Sequence, residues 1–419
     1  MADAAALWPS PWPAEDGGPA RRQAAGGGLR VAAGEQLVAT SRTAVASTMV
    51  VLRDPGEVFL LCHTGGEEAV SWVERIDPVT LDPLGRSPDL PGGPAWPGGL
   101  AAHASGSLHV VFGNHAHRLS PGLDLQASRR LPRARPYNSF VVLPDGHLVT
   151  KDFGGSRPGA PVSGPPPATE LLVLDPESLD VVAVHPLPEP SIARLSARGS
   201  EVVVVGEDSV FTVGWDGRRL ERGGRVRYRT EPGQTYGWDA VVDGGAAWFL
   251  DDGEGSDRYN GSLRGLGLSD APLRLHRVDL DSGGRTSAEV CGLRGGLVAN
   301  PPAVDLERGV AVGYDSGNGR VAGFTVDSDG SLRRRWEKAL DHAAHPLRYP
   351  ETGELVLHHF DRQRGAEQLV VLDIETGAEL ARVDTGSPVQ SVVFPAAGFH
   401  RDLYTCSFTT VTRIHVDTA

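Results

Sequence analysis

Short runs of apolar residues, each bounded by glycine, proline, aspartate or asparagine, follow one another along almost the whole chain from Leu29 onward. Their length and their β-branched content are typical of strands. No window combines the 3.6-residue apolar period with the capping residues of a long helix. The pattern therefore predicts an all-β protein with almost no helix.

These strands recur as a unit in which three strand-like runs are followed by a turn of the type Asp-x-x-Ser/Thr-Gly. The clearest copy ends in Asp373-Ile-Glu-Thr-Gly377, and weaker copies lie at or near Asp77, Ser120, Asp175, Asp216, Asp279 and Asp327. A repeat of roughly 40–60 residues indicates a toroidal or solenoid array. We predict a single β-propeller built from four-stranded blades.

Seven complete units can be delimited along the chain: Ser47–Gly92, Trp96–Pro132, Tyr137–Pro188, Ser191–Thr230, Tyr236–Gly292, Leu297–Leu340 and His345–Gly386. The last segment, Val389–Asp417, supplies three more strands, and we expect Leu29–Ala39 to add the fourth. That pairing of both chain ends would close the ring and remove open sheet edges. The predicted count is eight blades, or seven if one of the first two units is an irregular excursion.

Residues 1–28 are rich in alanine, glycine and proline, so we expect a flexible or loosely docked arm before a propeller domain of residues 29–419. The net charge of -13 argues against a nucleic-acid partner and against anionic membranes. The first residues lack the basic and apolar segments of a secretory signal. Three cysteines form no disulfide framework or metal spacing. We expect a cytoplasmic protein, with a monomer favoured.

The segment Val-Leu-Asp373-Ile-Glu-Thr376-Gly377 resembles the PQQ-like (quinoprotein) and YVTN-type repeat of β-propellers. The resemblance covers nearly the whole chain and implies the fold, but this architecture hosts enzymes, scaffolds and lyases alike. Quinoprotein alcohol dehydrogenases place a tryptophan after the glycine of most blades. Here only Gly330 with Trp336 approaches that pattern, which counts against a PQQ and calcium-dependent oxidoreductase.

In a propeller, the starts of the innermost strands (A) and the ends of the next strands (B) converge on one mouth of the channel. The A-strand starts are Ser47, Trp96, Tyr137-Asn138-Ser139, Ser191, Tyr236–Asp239, Asn300, His345 and Gln390. The B-strand ends are Cys62-His63, Asn114-His115, Lys151-Asp152, Glu207-Asp208, Asp251-Asp252, Tyr314-Asp315, His358-His359 and Cys406. Polar residues at strand ends are expected at any channel mouth that solvent can enter. The mixture of acids, histidines and aromatics found here is also typical of a ligand pocket.

Lys151 is the most suggestive of these residues, because only it and Lys338 are lysines among the 40 basic residues. Lysine, unlike arginine, can become a neutral base or nucleophile when it is desolvated. We assign candidate catalytic roles to Lys151, Asp152, Asp251, Asp315 and His359. We assign candidate substrate contacts to Trp96, Tyr137, Asn138, Trp238, Asp239, Asn300, Tyr314, His345 and His358. Ion pairs, solvated turns and core packing are the alternative interpretations.

The cofactor is unknown, and a divalent metal is one possibility. Asp251, Asp252 and Asp315 could offer hard oxygen ligands to Ca²⁺. His345 and His359 could bind a transition metal.

Two long connections, Phe153–Ala168 and Gly253–Pro272, should rise from the same mouth as lids. The favoured hypothesis is an enzyme that binds a small organic substrate at the mouth and uses acid–base or electrostatic chemistry of the lyase, isomerase or hydrolase type. The alternatives are a non-catalytic propeller for protein interaction and a PQQ and calcium-dependent oxidoreductase.

Overall fold

The computed structural model describes residues 6–154 and 168–418, apart from the side chain of Asn138. Within these ranges the chain is almost entirely β-structure, and its helices are single 3-10 turns at Glu15–Gly17 and Ser256–Arg258. No helix in the described ranges is long and apolar enough to cross a membrane. The predicted all-β class is confirmed.

Six blades are separate four-stranded antiparallel sheets, numbered 2 to 7 along the chain. From strand A outward to strand D they are: blade 2, Gly99–Ala102, Leu108–Phe112, His115–Leu119 and Leu125–Arg130; blade 3, Tyr137–Val142, Leu148–Asp152, Glu170–Leu174 and Val181–Pro186; blade 4, Ser196–Arg198, Glu201–Val205, Ser209–Trp215 and Leu220–Arg227; blade 5, Val241–Asp243, Ala246–Leu250, Arg274–Asp279 and Arg285–Glu289; blade 6, Ala303–Asp305, Val310–Asp315, Arg320–Val326 and Leu332–Ala339; blade 7, Leu347–Tyr349, Glu354–Asp361, Ala366–Asp373 and Glu379–Asp384.

The 18-residue strand Glu35–Leu52 joins the two remaining blades into one eight-stranded sheet. Its first half pairs Glu35 with Thr418 through Thr43 with Thr410 and is strand D of blade 8, whose other strands are Ala396–Ala397, Asp402–Cys406 and Phe408–Thr418. Its second half is strand A of blade 1, followed by Val58–His63, Ala69–Ile76 and an outer strand in two pieces, Pro83–Arg86 and Leu90–Gly93. The described strands thus give eight blades, closed by both chain ends as predicted.

The recurrent Asp turn is a local hydrogen-bonding device between strands C and D. Asp373 Oδ1 accepts bonds from the backbone N–H and the hydroxyl of Thr376, at 2.8 and 2.7 Å. Gly377 follows with a φ of 69°, a left-handed conformation that favours glycine. The same contacts form at Asp175 and Asp279. The motif therefore repeats because each blade needs the same tight turn.

The N-terminal arm was expected to be mobile or loosely docked, and this is wrong for residues 6–28. Pro13, Pro19, Ala20 and Gln23 accept hydrogen bonds through their carbonyls from the A strands of blades 2, 4, 5 and 7, at 2.7–2.8 Å. Trp12 is fully buried. The inner edges of A strands carry free backbone groups that need partners, and the arm supplies them. Its composition suggested flexibility, but the segment is fixed along the channel.

Candidate functional site

A cavity of about 250 Å³ lies at the mouth, where six blades and one long loop meet. Its walls are mainly apolar and aromatic, with a few polar groups. The lining residues are Trp96, Pro97, Arg194, Trp238, Ser256, Asp257, Tyr259, Leu263, Ala299, Asn300, His345, Val392, Val393, Phe394 and Phe408. An apolar cavity with few convergent polar groups is the usual form of a small-molecule site.

The loop Gly253–Pro272 forms the roof of this cavity. The hydroxyl of Tyr259 donates to the carbonyl oxygen of Gln390 at 2.5 Å, and the N–H of Leu263 donates to the Gln390 side chain at 2.8 Å. Arg264 forms an ion pair with Asp341 at 2.7 Å. The loop therefore extends from blade 5 across to blades 7 and 8. These contacts dock the loop over the mouth, and Ser256, Asp257, Tyr259 and Leu263 line the space below. The other predicted lid, 153–168, lies mostly outside the described residues.

Arg194 forms one side of the cavity floor. Its guanidinium donates to Glu15 at 2.9 Å and to the carbonyl oxygens of Pro97 and Gly98 at 2.6 and 3.2 Å. It also lies over the Phe394 ring, 4.6 Å from the centroid. The backbone N–H of Arg194 donates to Asp239 Oδ1 at 2.6 Å. The guanidinium is thus held by several partners at once and gives the floor a fixed shape.

His345 forms the other side of the floor, and it pairs with the arm. Its Nδ1 lies 2.9 and 3.0 Å from the two carboxylate oxygens of Asp16, and its ring packs against Phe394 with centroids 4.0 Å apart. Nε2 has no hydrogen-bond partner among the described residues. A buried carboxylate on one ring nitrogen orients the imidazole and leaves the other nitrogen for chemistry. His345 is therefore the best-placed acid–base group at the cavity.

Arg21 completes the buried charge network below the floor. It forms ion pairs with Glu15 at 2.5 Å and with Asp16 at 2.8 Å, and its Nε donates to the carbonyl oxygen of Leu195 at 2.6 Å. Burial works to raise the pKa of Asp16, but the charges and hydrogen bonds of His345 and Arg21 outweigh it and hold the pKa below its ordinary value. Asp16 thus stays a carboxylate beneath His345.

Asn300 adds a defined acceptor to the wall. Its Nδ2 donates to the carbonyl oxygens of Ala343 and Val392, at 2.5 and 3.1 Å. Both amide hydrogens are then engaged, so Oδ1 is the atom that can accept a bond from a ligand.

Lys151 and Asp152, the first of the predicted catalytic pairs, do not line the cavity. Lys151 is fully buried, and its Nζ donates to the carbonyl oxygen of Ser191 at 2.9 Å, between blades 3 and 4. Burial lowers its pKa to about 7, although Asp152 and Asp239 oppose the shift. Asp152 is engaged by Arg133, Arg135 and the N–H of Glu170. Both side chains are held by neighbouring segments of the blades and lie outside the cavity lining, so the structure does not bring them together with His345.

The aspartates of blades 5 and 6 are also structural. Asp251 accepts from the Gln234 side chain, the N–H of Arg274 and His276, at 2.6, 2.6 and 3.0 Å. Asp315 accepts from the N–H groups of Leu297 and Asn318. Burial raises the pKa of Asp315, and burial together with the neighbouring carboxylates raises that of Asp252. The hydrogen bonds of Asp251 and Asp315 hold neighbouring segments of the blades together.

The predicted metal sets are not assembled. Within the described ranges, no group of three or more His, Cys, Asp or Glu side chains is placed to hold a metal ion. The three aspartates Asp251, Asp252 and Asp315 do not form such a group. Each of them accepts hydrogen bonds from neighbouring segments of its own blade, and His345 pairs with Asp16 of the arm instead of with His359.

The remaining predicted contacts are divided between the cavity and the blade interiors. His358 bonds Thr405 at 2.6 Å, and His359 accepts from the N–H of Asp341 at 3.1 Å. Burial lowers the pKa of His358 to about 4 and also lowers that of His359. Tyr137 and Tyr314 are fully buried between strands. None of these four lines the cavity, and the side chain of Asn138 lies outside the described part.

Four predicted residues do meet at the cavity, namely Trp96, Trp238, Asn300 and His345, with Asp239 directly below Arg194. All come from A-strand starts. The residues that the sequence did not indicate are Glu15, Asp16, Arg21, Arg194, Tyr259, Phe394 and Phe408. Arg194 could have been found by following the A-strand start three residues beyond Ser191. The arm carried no comparable signal beyond an acidic pair followed closely by two arginines.

The sequence matches no protein-family model and no curated protein. Its fold is similar to a quinohemoprotein alcohol dehydrogenase, ADHIIG from Pseudomonas putida HK5, at 9% identity and a TM-score of 0.64, covering 100% of this chain and 81% of that one. It is also similar to BamB from Moraxella catarrhalis, at 11% identity and a TM-score of 0.52, covering 89% and 100%. A computationally designed protein, Ika8, gives 12% identity and a TM-score of 0.57, covering 88% and 96%.

These likenesses confirm the β-propeller fold that the repeat predicted. Identities this low show the fold alone, and one fold carries many functions. The calcium and PQQ hypothesis needs a donor set of carboxylate and amide oxygens at the channel. There, Glu15 and Asp16 are bound to Arg21, Arg194 and His345. That donor set does not fit a calcium-bound quinone, so function has to be argued from this cavity.

Proposed function

We propose that this chain is an enzyme that carries out acid–base chemistry on a small organic molecule held in the mouth cavity. The observation that carries the proposal is the Asp16–His345 pair. Nδ1 of His345 is fixed by a buried carboxylate, and Nε2 is engaged by no described residue while the ring lines the cavity. A positioned imidazole of this kind contributes typically about 10²–10⁴-fold to proton transfer.

The reaction class is best described as proton transfer within an isomerisation or an elimination. Hydrolysis through a serine nucleophile would require a hydroxyl bonded to the base. Ser256 lines the cavity, but neither its hydroxyl nor His345 Nε2 has a hydrogen-bond partner among the described residues, so the two are not bonded to each other. An isomerase or lyase needs only the base and its orienting carboxylate.

The surface favours this proposal over a protein-interaction propeller. That alternative predicts a large apolar patch on one rim and no deep pocket. The exposed large apolar side chains that the structure describes include Leu84, Leu125, Val184 and Leu380, which lie on the outer strands of four different blades. Singly exposed residues of this kind need no partner. The enclosed cavity is the feature that calls for a ligand.

We place the enzyme in the cytoplasm. Cys62 and Cys406 are both buried in neighbouring strands around Ser47, and the chain keeps them as free thiols, together with Cys291. Burial raises the pKa of Cys62 to about 12, which makes it unreactive. Persistent thiols support a reducing compartment.

The experiment is a deuterium wash-in screen in D₂O, followed by NMR, with a panel of small amines, alcohols and carboxylic acids that carry acidic C–H bonds. We expect the native protein to exchange or eliminate at one position of one compound class. His345→Gln should lower the rate at least about 100-fold. His358→Gln is the matched control, because it removes a buried histidine outside the cavity. Equal rates in the native protein and His345→Gln would contradict the proposal.

A further inference from the structure

We propose that the ligand of this cavity is a compact organic cation, an amine or quaternary ammonium compound with an apolar body, whose binding displaces a proton from His345. This inference rests on the proposed function, since it names the ligand class of the same cavity.

The walls have the composition that recognises cations. Five aromatic rings, those of Trp96, Trp238, Tyr259, Phe394 and Phe408, line a space of about 250 Å³. The faces of such rings attract a desolvated cation, and aromatic cages are used for quaternary ammonium ligands. This volume is about that of eight molecules of liquid water, which limits the ligand to a small molecule.

The charges below the floor do not balance. Three buried carboxylates, Glu15, Asp16 and Asp239, face two guanidiniums, those of Arg21 and Arg194. Among these five groups one negative charge is left over in a desolvated site, which is costly without a partner. A proton on His345 can neutralise it, and a cation in the cavity can take the place of that proton.

The groups that surround His345 favour the replacement of its proton by a bound cation. The arm presents Asp16 and Arg21, blade 4 presents Arg194, and blade 8 presents only the ring of Phe394. His342 precedes it in the chain, and burial holds the pKa of that residue well below its ordinary value. Lys151 lies behind Asp239 and Arg194, and with a pKa of about 7 it supplies only part of a charge at neutral pH.

The cavity offers two acceptors to a cation with N–H groups. Asn300 Oδ1 remains after both amide hydrogens are used, and His345 Nε2 becomes an acceptor once its proton has left. Arg194 also lines the cavity, and its ion pair with Glu15 at 2.9 Å offsets its positive charge. At the entrance, Asp257 is the exposed charge on the lining.

The test is calorimetric titration of the full chain with three probes of similar size: benzyltrimethylammonium, benzyl alcohol and phenylacetate. Each is titrated in two buffers of different ionisation enthalpy and at two pH values. We expect benzyltrimethylammonium to bind at least about tenfold more tightly than the other two. Its binding should release protons, and its affinity should rise with pH. His345→Gln should abolish the proton release.

Two further variants assign the binding to this cavity. Trp238→Leu keeps an apolar side chain but removes an aromatic face, so it should weaken the cation about tenfold and benzyl alcohol little. Ala299→Trp should fill the cavity and block all three probes, with circular dichroism confirming the fold. If phenylacetate or benzyl alcohol binds more tightly than the cation, and Ala299→Trp blocks it, the ligand class is wrong and the proposed function stands. If no probe binds the native chain, both fail.

Discussion

Two sets of buried carboxylates in this propeller look alike in sequence and differ in role. At the B-strand ends, Asp152, Asp251 and Asp315 accept hydrogen bonds from backbone N–H groups of neighbouring segments. Below the cavity, Glu15 and Asp16 instead contact the side chains of Arg21, Arg194 and His345. The first set accepts from backbone and side-chain donors within the blades, whereas the second positions side chains at a cavity.

The comparison shows where a propeller built from repeats can place side chains that act on a ligand. The carboxylates at the B-strand ends find their donors within their own blades and the connections beside them. The arm lies outside the repeat, so its charged residues can be directed into the channel without disturbing any blade. The site thus combines repeated A-strand starts with one segment that occurs once.

The largest expected effect is that of removing Arg21 from the floor network. Arg21→Met leaves Glu15 and Asp16 buried without their guanidinium, so the free energy of unfolding should fall by about 3–5 kcal/mol. Urea unfolding measures this. Arg364→Met removes the same group from an exposed pair with Asp384 and should cost far less. Equal losses in the two variants would mean that the floor network is not a buried unit.

Lys151, at a B-strand end, gives the next largest effect. Burial lowers the pKa of its ammonium group, which makes the stability of the fold depend on pH. The unfolded chain keeps its proton up to a pKa near 10.5, whereas the folded chain releases it at about 7. Stability of the native protein relative to Lys151→Met should therefore rise by about 3 kcal/mol between about pH 7 and about pH 10. A flat difference for Lys151→Met would contradict its desolvation.

Glu367 should show the opposite pH dependence and a smaller effect. It is fully buried and accepts from the N–H of Ser391 at 2.5 Å, and burial raises its pKa from 4.5 to about 8. A raised acid pKa stabilises the fold at low pH and loses that contribution as pH rises. Relative to Glu367→Gln, the native protein should lose about 2 kcal/mol between about pH 5 and about pH 7. Parallel pH profiles for the two proteins would overturn this assignment.

The roof contact of Tyr259 should give the smallest effect. Tyr259→Phe removes the hydroxyl that donates to Gln390 and should destabilise the docked loop by about 1 kcal/mol. Hydrogen exchange should then quicken several-fold at the N–H of Gln390, which bonds the loop at Gly261. The N–H of Thr376, in an Asp turn far from the loop, is the internal control. Unchanged exchange at Gln390 would show that the loop is held by other contacts.

The repeat predicted the ring, its closure and the A-strand aromatics, because each follows from a pattern that recurs in every blade. Trp96, Trp238, Asn300 and His345 were found by their equivalent positions. The same equivalence did not predict where the side chains of Lys151 and Asp315 lie, since a strand end that opens on the mouth can still direct its side chain toward its own blade or the next one. Asp16 could not be inferred, because its role depends on a contact with His345, 329 positions away.

The most direct test of the central claim is ¹⁵N NMR of the histidine side chains during titration with benzyltrimethylammonium. The account predicts that both ring nitrogens of His345 shift as the probe enters, with Nδ1 keeping its proton toward Asp16 and Nε2 losing its own. Asp16→Asn should remove that pattern, and the signals of His358 should stay in place throughout. A probe that binds while the His345 signals remain unchanged would contradict the account.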